Sequence, residues 1–193
     1  MQGVIRLDED ERGVTAVEFA LIAPVLLLAV FGILDIGHQT YATAIIQGAV
    51  QDVARDTSIE NSQGGALNNA MKSAVHDILP GSTVRMGRKS YTNFTDIGRP
   101  EEYDDVNGNG TCDAGESFED ANGNGTWDQD RGTGGIGNAR DAVLYTVTVD
   151  YERFFPLAGF MGISDKNRIV ARTVVRNQPF AGAQTMPATE SCE

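Results

Sequence analysis

The chain has 193 residues and a formal net charge of −12, because 27 Asp and Glu side chains outnumber 15 Lys and Arg. This balance argues against nucleic acid as a partner, since phosphate binding needs a basic face. Ten of the acidic residues lie between Glu101 and Arg131, and Arg131 is the only basic residue in that range. Two cysteines, Cys112 and Cys192, are too few for a disulfide framework but can form one bridge in an oxidising compartment.

The first predicted element is an apolar helix near the N-terminus. Residues 14–34 form a run of 21 residues in which Glu18 is the only charged side chain. At about 1.5 Å per residue, such a helix reaches roughly 31 Å and can cross a bilayer. Arg6 and Arg12 precede the run and no Lys or Arg follows it before Arg55, which predicts a cytoplasmic N-terminus.

Beyond this run the apolar pattern becomes amphipathic, so one long helix is expected to continue to about residue 60 and to pack against a domain. Pro24 lies in the apolar half and is expected to kink or loosen one turn. Asp35 and His38 are interpreted as the point where the helix leaves the membrane, with a specific subunit contact as the alternative. A second amphipathic helix is predicted over residues 67–79.

Three later segments have the alternation of strands, namely "STVRMGRKSYTNF", "DAVLYTVTVDY" and "NRIVARTVVRN". The apolar turn "RFFPLAGFMGI" joins the last two, and it either lies under the core or rests on the membrane or a neighbouring subunit. The elements predict an α+β fold: a long transmembrane helix that continues into a domain with a second helix and a small antiparallel sheet, and an irregular acidic insertion at about residues 100–135.

The N-terminal sequence "RGVTAVEFALIAPVLL" resembles the type IV pilin signal, in which a polar leader ends in Gly and Glu is the fifth residue after it. With Gly32, Asp35 and Gly37 beyond it, the pattern is similar to the TadE-like pseudopilins of tight-adherence (Flp) pilus systems. The segments "FFPLAGF" and "ARTVVRNQPF" are similar to the end of that family's domain. Two features depart from the family: the leader is acidic, and the acidic insertion does not belong to the family core.

The resemblance implies a cleaved leader at residues 1–13, a helix at 14–60 and an exported domain at 61–193. A prepilin-type peptidase would cut after Gly13, so that Val14 becomes the first mature residue. Glu18 would then pair with the N-terminal amine, usually of another subunit, within lipid. A charged side chain in a span costs roughly 2.5–3.5 kcal/mol on insertion scales, which favours a working role for Glu18.

The same resemblance implies a location and a set of partners. The location is the bacterial inner membrane, crossed once, with the C-terminal domain exported. The implied partners are other pilin or pseudopilin subunits, the pilus assembly platform, the prepilin-type peptidase and membrane lipid.

The acidic insertion contains a duplicated twelve-residue pattern that fits calcium loops. In the first copy, oxygen-bearing side chains fall at positions 1, 3, 5 and 9, Gly at 6, a backbone carbonyl at 7 and Glu at 12. The residues that carry this pattern are Asp105, Asn107, Asn109, Thr111, Asp113 and Glu116. The second copy begins fifteen residues later and offers Asp120, Asn122, Asn124, Thr126 and Asp128. Its position 12 is Arg131, so we expect Asp130 to stand in or Asp128 to bind through both oxygens.

Fifteen residues leave no room for two helices between the loops, so they do not form an EF-hand pair and instead resemble the helix-poor calcium loops of extracellular modules. We expect one or two calcium ions to order the insertion, which has little apolar matter of its own, and the second site to be weaker. The alternative is an acidic, disordered loop. Cys112 occupies position 8, whose side chain points away from the ion, so it is free to pair with Cys192.

Together these patterns predict a TadE-like minor pseudopilin, a membrane-anchored structural and assembly subunit and not an enzyme. The sequence has no Ser/His/Asp grouping, no paired-cysteine metal site and no phosphate-binding glycine loop after a strand. The alternative from another class is an uncleaved, signal-anchored surface adhesin or sensor that depends on calcium. The mass of the N-terminus distinguishes the two, since it begins at Val14 in the first case and at Met1 in the second.

Overall fold

The computed structural model describes residues 13–58, 64–154, 159, 162, 164–177 and 187–192. Helix α1 spans Val14–Ser58 and contains Pro24, and helix α2 spans Gly64–Ile78. Both helices were predicted from the sequence at nearly these limits. Residues 1–12 of the predicted leader, which ends at Gly13, and most of the apolar turn at 153–163 lie outside the described residues.

Six strands follow in the part of the chain that the structure describes, and three of them were not predicted. The strands are β1 (Thr83–Tyr91), β2 (Ser117–Asp120), β3 (Thr133–Gly134), β4 (Ala142–Glu152), β5 (Lys166–Arg176) and β6 (Ala188–Ser191). Strands β1, β4 and β5 correspond to the three alternating segments of the sequence. Strands β2 and β6 have four residues each and β3 has two, which is too short for an alternating pattern in the sequence to identify them.

The strands form two sheets. The larger has the order β3-β1-β4-β5, and β1 is antiparallel to both of its neighbours. The register between β1 and β4 runs from Thr83 opposite Asp150 to Tyr91 opposite Ala142. The smaller sheet pairs β2 with β6, also antiparallel. The α+β class predicted from the sequence is thus confirmed, and the acidic insertion lies between β1 and β4 as expected.

Internal contacts divide the chain into two compact units. The first unit combines the residues up to Tyr41 with Glu152–Asn167, and the second combines Ala42–Tyr151 with Arg168–Glu193. Helix α1 therefore contributes its apolar half to the first unit and its amphipathic half to the second.

The second unit has one buried apolar cluster, formed by both helices and the larger sheet. Helix α1 contributes a stripe of residues four apart, which lie on one face of a helix. They are Ala42, Ile46, Val50 and Ala54. Helix α2 contributes Met71, Val75 and Leu79. The β4 face predicted from alternation is buried throughout, at Val143, Tyr145, Val147, Val149 and Tyr151.

In the first unit, the apolar half of α1 is long and apolar enough to cross a membrane, and none of that stretch is buried inside the chain. The segment after β4 returns to this helix. The guanidinium Nη1 of Arg153 lies 2.5 Å from Oδ2 of Asp35, and the rings of His38 and Phe154 are 5.8 Å apart. The backbone N–H of Arg153 donates to the carbonyl oxygen of Asp165 at 2.7 Å, which closes the base of the turn between β4 and β5.

Candidate functional site

The predicted processing residues lie at the start of α1. Gly13 immediately precedes the helix, Val14 is its first residue and Glu18 is its fifth. All three are exposed, as is the apolar surface that follows them. The geometry therefore presents the Gly13–Val14 bond and the Glu18 carboxylate at one end of an uncovered apolar helix.

The residues predicted to mark the membrane exit have partners within the chain. Asp35 forms an ion pair with Arg153, and the ring of His38 lies beside that of Phe154 at an interplanar angle of 43°. These partners are more than 100 residues away in sequence, since Asp35 and Arg153 are separated by 118 positions. No local pattern of the sequence indicated them.

The first acidic loop is organised by the carboxylate of Asp105. Its Oδ1 accepts hydrogen bonds from the backbone N–H groups of Gly108 at 2.7 Å and Asn109 at 3.1 Å. Its Oδ2 accepts one from the N–H of Gly110 at 2.9 Å. Gly108 and Gly110 have φ of 73° and 78°, a conformation that glycine adopts without steric cost. The tight turn expected for this loop is therefore present.

Asp113 faces two amide groups across this loop. Its Oδ2 accepts from Nδ2 of Asn107 at 2.8 Å and from Nδ2 of Asn109 at 2.6 Å. These bonds, with that from Asn107 the larger, lower the pKa of the Asp113 carboxyl despite an opposing contribution from desolvation. The amide donors thus stabilise the charged form of Asp113. A bound cation would stabilise the same charged form.

Glu116 ties the two ends of the first loop together. Its side chain is only 6% exposed. Its Oε1 accepts from the N–H of Val106 at 2.9 Å and its Oε2 from the N–H of Asp113 at 3.0 Å. One buried carboxylate therefore satisfies the amides at positions 2 and 9 of the loop.

The second loop repeats the five hydrogen bonds from backbone and Asn N–H groups that Asp105 and Asp113 accept in the first. Asp120 accepts from the N–H groups of Gly123, Asn124 and Gly125 at 2.7, 3.2 and 2.9 Å. Asp128 accepts from Nδ2 of Asn122 at 2.7 Å and of Asn124 at 2.6 Å. Every distance lies within 0.1 Å of its counterpart in the first loop. The duplication in the sequence is therefore also a duplication in structure.

Glu101 takes the place of Glu116 in the second loop. Its Oε1 accepts from the N–H of Ala121 at 2.8 Å and its Oε2 from the N–H of Asp128 at 3.0 Å, which are again positions 2 and 9. Its side chain is 1% exposed. A buried carboxylate is stable only when it is well hydrogen-bonded, so this contact closes the loop as firmly as Glu116 closes the first.

The segment that carries Glu101 is held beside β2. The N–H of Glu119 donates to the carbonyl of Glu102 at 2.8 Å, and the N–H of Asp104 donates to the carbonyl of Ser117 at 2.9 Å. The indole Nε1 of Trp127 donates to the carbonyl oxygen of Glu101 at 2.8 Å. These bonds place the side chain of Glu101 in the second loop, although Glu101 lies 19 residues before the first position of that loop.

Asp130, one of the two candidates for the ligand missing at position 12 of the second loop, lies against β1 in the structure, and the prediction for that position remains untested. The Asp130 carboxylate accepts from Nζ of Lys89 at 2.7 Å and from the hydroxyl of Tyr91 at 2.9 Å, so it binds β1 instead. Desolvation opposes ionisation of Asp130, but these bonds outweigh it and lower its pKa. Burial, followed by the bond to Asp130, raises the pKa of Tyr91 to about 12. Arg131 pairs with Glu119 at 3.1 Å.

No metal site is already assembled in the part of the chain that the structure describes, because no group of three or more His, Cys, Asp or Glu side chains is placed to hold an ion. The loop oxygens are bonded to the loops' own N–H groups. The donor set nevertheless suits calcium, which prefers the hard oxygens of carboxylates, amides and carbonyls. Rotation of each Asn amide would exchange its Nδ2 for Oδ1 opposite Asp113 or Asp128.

A disulfide joins the first loop to the C-terminal strand. Cys112 is bonded to Cys192 across 80 positions of sequence, with their Cα atoms 5.7 Å apart. The N–H of Cys192 donates to the carbonyl of Glu116 at 2.7 Å, and that of Gly115 donates to the carbonyl of Cys192 at 3.2 Å. A loop of this length would be stabilised by about 4–5 kcal/mol on the chain-entropy account of disulfides. The insertion is thus fixed at both the β2–β6 pairing and this bridge.

The equivalence of Glu101 and Glu116 makes a testable prediction for the metal-free protein. Glu101→Gln replaces one acceptor oxygen with a donor, so amide exchange should rise at Ala121 and Asp128 and stay unchanged at Val106 and Asp113. Glu116→Gln should give the reverse. Loss of a hydrogen bond to a charged group costs about 1.5–3 kcal/mol, which corresponds to about a 10–150-fold rise in local exchange.

Hydrogen–deuterium exchange at residue resolution measures this effect. Glu102→Gln, which makes the same charge change at the next residue, is the matched control because its side chain is exposed. Equal exchange in both loops for each variant would contradict the assignment of one glutamate to each loop.

The comparisons with known proteins concern the N-terminal helix. Residues 13–55 match the family model described as TadE-like protein. No curated protein and no solved structure matches the chain. The matched range begins at Gly13 and covers nearly all of α1, so the similarity of the C-terminal segments stays a prediction. The resemblance carried by Gly13, Glu18 and the residues around them is confirmed: residues 13–55 are TadE-like, which relates the protein to tight-adherence pili.

Proposed function

We propose that the protein is a minor pseudopilin, a membrane-anchored structural subunit that acts in the assembly of a tight-adherence pilus or a related secretion system and is not an enzyme. The main support is the agreement of three features at the start of α1. The TadE-like match begins at Gly13, the helix begins at Val14, and Glu18 is the fifth residue of that helix. Sequence family, helix boundary and charge position therefore agree at the same three residues.

The proposed location is the bacterial inner membrane, crossed once, with the C-terminal domain exported. The uncovered apolar half of α1 supports membrane insertion, because such a surface is unfavourable in water. The Cys112–Cys192 disulfide supports export, since disulfides persist in oxidising compartments and are rare in the cytosol. The N-terminal Arg residues support a cytoplasmic start.

The proposed partners follow from the exposure of the helix start. A prepilin-type peptidase would cut the Gly13–Val14 bond, and the assembly platform and other pilin subunits would receive the mature helix. The new amine at Val14 and the Glu18 carboxylate would lie in lipid, where an unpaired charge is costly. Pairing the amine of one subunit with the Glu18 of another removes that cost and sets the register of docking.

Processing provides the first test of this function. Gly13→Val should leave the chain uncut, because the peptidase needs the small residue before the scissile bond. A Cβ at Gly13 would meet no atom within 4 Å, so the substitution should not disturb the fold. Intact-mass spectrometry should find a mature wild-type chain that starts at Val14 and a full-length variant. A wild-type chain that starts at Met1 would instead support an uncleaved signal-anchored adhesin or sensor.

Glu18 provides a second test, separate from cleavage. Glu18→Ala should still be cut but should lose assembly, because the buried amine loses its counter-charge. Glu18→Asp, which keeps the charge on a shorter side chain, should retain part of it. Co-purification with partner pilins and counts of surface pili measure the effect. Normal pilus numbers for Glu18→Ala would show that Glu18 has no role in docking.

The second part of the proposal is that calcium binds the two loops and stabilises the exported domain. Each loop supplies two carboxylates and two amides in a tight glycine turn, together with one buried glutamate. The supporting observation is that the carboxylates of each loop accept hydrogen bonds from uncharged donors, chiefly backbone and Asn N–H groups. A divalent cation would attract these carboxylates more strongly than such donors do. Glu116 would serve the first ion and Glu101 the second, so the two sites would be similar in strength.

Calcium titration of the full chain in detergent tests this part. Calorimetry of the wild type should show two sites with Kd on the order of 0.1–1 mM, the range of extracellular modules, and weaker binding of magnesium. Glu116→Gln and Glu101→Gln should each remove one site, while Glu102→Gln keeps both. The midpoint of thermal unfolding should rise with calcium concentration, as linkage requires.

The outcomes separate the two claims. Absence of binding at millimolar calcium would reject calcium altogether. Binding of two ions that survives Glu101→Gln would keep calcium and reject Glu101 as the residue that completes the second site.

A further inference from the structure

We infer that Arg153 and Phe154, directly after β4, form a second contact with the bilayer that holds α1, at the level of the lipid headgroups. This inference rests on the proposed membrane insertion of α1. All the residues that carry it belong to the first compact unit, so their arrangement does not depend on the second.

The depth of this contact is set by Asp35. The apolar run at residues 14–34 ends directly before it, so Asp35 lies where α1 passes from hydrocarbon to headgroups. Nη1 of Arg153 is 2.5 Å from Oδ2 of Asp35, and the two side chains are 21% and 18% exposed. A direct and largely buried ion pair fixes Arg153 at the depth of its partner.

The charge of the pair suits this level of the membrane. Asp35 and Arg153 sum to zero, so the helix exit presents no net charge to the headgroups. The guanidinium has five N–H donors and binds planar oxygen groups such as phosphate well. Long cationic side chains at a helix exit commonly place their stem along apolar surface and their charge among the headgroups. Arg153 therefore offers lipid phosphate a donor at the point where α1 emerges.

Phe154 adds an apolar surface beside this charge. Its side chain is 72% exposed, and its ring lies 5.8 Å from that of His38, one turn beyond Asp35. An aromatic ring held at the membrane boundary partitions into the interface, as in peripheral anchors. The sequence beyond Phe154 has no charged side chain before Asp165, and the carbonyl of Asp165 accepts the N–H of Arg153 at 2.7 Å. Both ends of this uncharged stretch are therefore held at the same level.

Lipid is the occupant that these observations favour over a neighbouring subunit. Insertion of α1 brings the bilayer to Asp35 by itself, and the contact then needs no other chain.

Fluorescence quenching by brominated lipid tests the inference in the full chain. Trp127 is the only tryptophan, so Trp127→Phe gives a silent background for single reporters. The reporter variant is Phe154→Trp. Leu27→Trp, at a position 51% exposed in the apolar half of α1, reports insertion, and Phe94→Trp, also at a position 51% exposed but in a polar turn of the second unit, is the control.

The proteins are placed in phosphatidylcholine–phosphatidylglycerol vesicles that carry bromine either close to the headgroup or deep in the acyl chain. The shallow bromine should quench Phe154→Trp several-fold more than it quenches Phe94→Trp. The deep bromine should quench Phe154→Trp less than the shallow bromine does. Leu27→Trp should show the opposite preference. Adding Arg153→Gln to the reporter should reduce its quenching, whereas Arg153→Lys, which keeps the charge, should reduce it less.

Three outcomes would overturn the inference in distinguishable ways. Quenching of Leu27→Trp with none at Phe154→Trp would leave the anchor and remove the second contact. A reporter that is shielded only at high protein-to-lipid ratio would show that a subunit, not lipid, covers Phe154. Absence of quenching at Leu27→Trp would reject the membrane anchor itself, and this inference with it.

Discussion

Helix α1 has to satisfy two environments along one continuous backbone, and the rest of the structure depends on this constraint. Its first half leaves most of its apolar side chains exposed, a surface that is unfavourable in water, whereas its second half buries a stripe from Ala42 to Ala54 in a protein core. The change occurs within about two turns. At that point Asp35 of α1 forms an ion pair with Arg153, the residue directly after β4. The pair lies between the apolar half of the helix and the half that packs in the core.

The acidic insertion is stabilised in a different way from the core. It has few apolar side chains, and buried carboxylates that accept backbone N–H bonds take the place of packing. Glu101 and Glu116 each close one loop, while the β2–β6 pairing and the Cys112–Cys192 bridge hold the loops in place. Such an arrangement tolerates many acids because the loop carboxylates accept hydrogen bonds, and a cation in each loop would reduce their remaining repulsion.

Local pattern was sufficient for much of the fold and for part of the candidate site. Periodicity identified both helices and strands β1, β4 and β5, because their side chains alternate between core and solvent, and Gly13 with Glu18 identified the TadE-like segment. The tight turns of both loops could also be predicted, because Asp, Asn and Gly form them through hydrogen bonds between residues no more than five positions apart. Strands β2 and β6 were missed because each is four residues long and is held by its partner and a disulfide, not by an apolar face.

The same distinction explains why Asp130 was chosen and Glu101 was missed. A twelve-residue pattern assumes that a loop supplies all its own groups, and in the first loop Glu116 does so. In the second loop the group arrives from 19 positions upstream, through backbone pairing beside β2 that no spacing rule describes. Lys89 and Tyr91 meanwhile draw Asp130 to β1. Each loop is closed by an acidic side chain that accepts from the N–H groups at positions 2 and 9, and this side chain need not come from position 12. The second loop is therefore closed although its position 12 is Arg131.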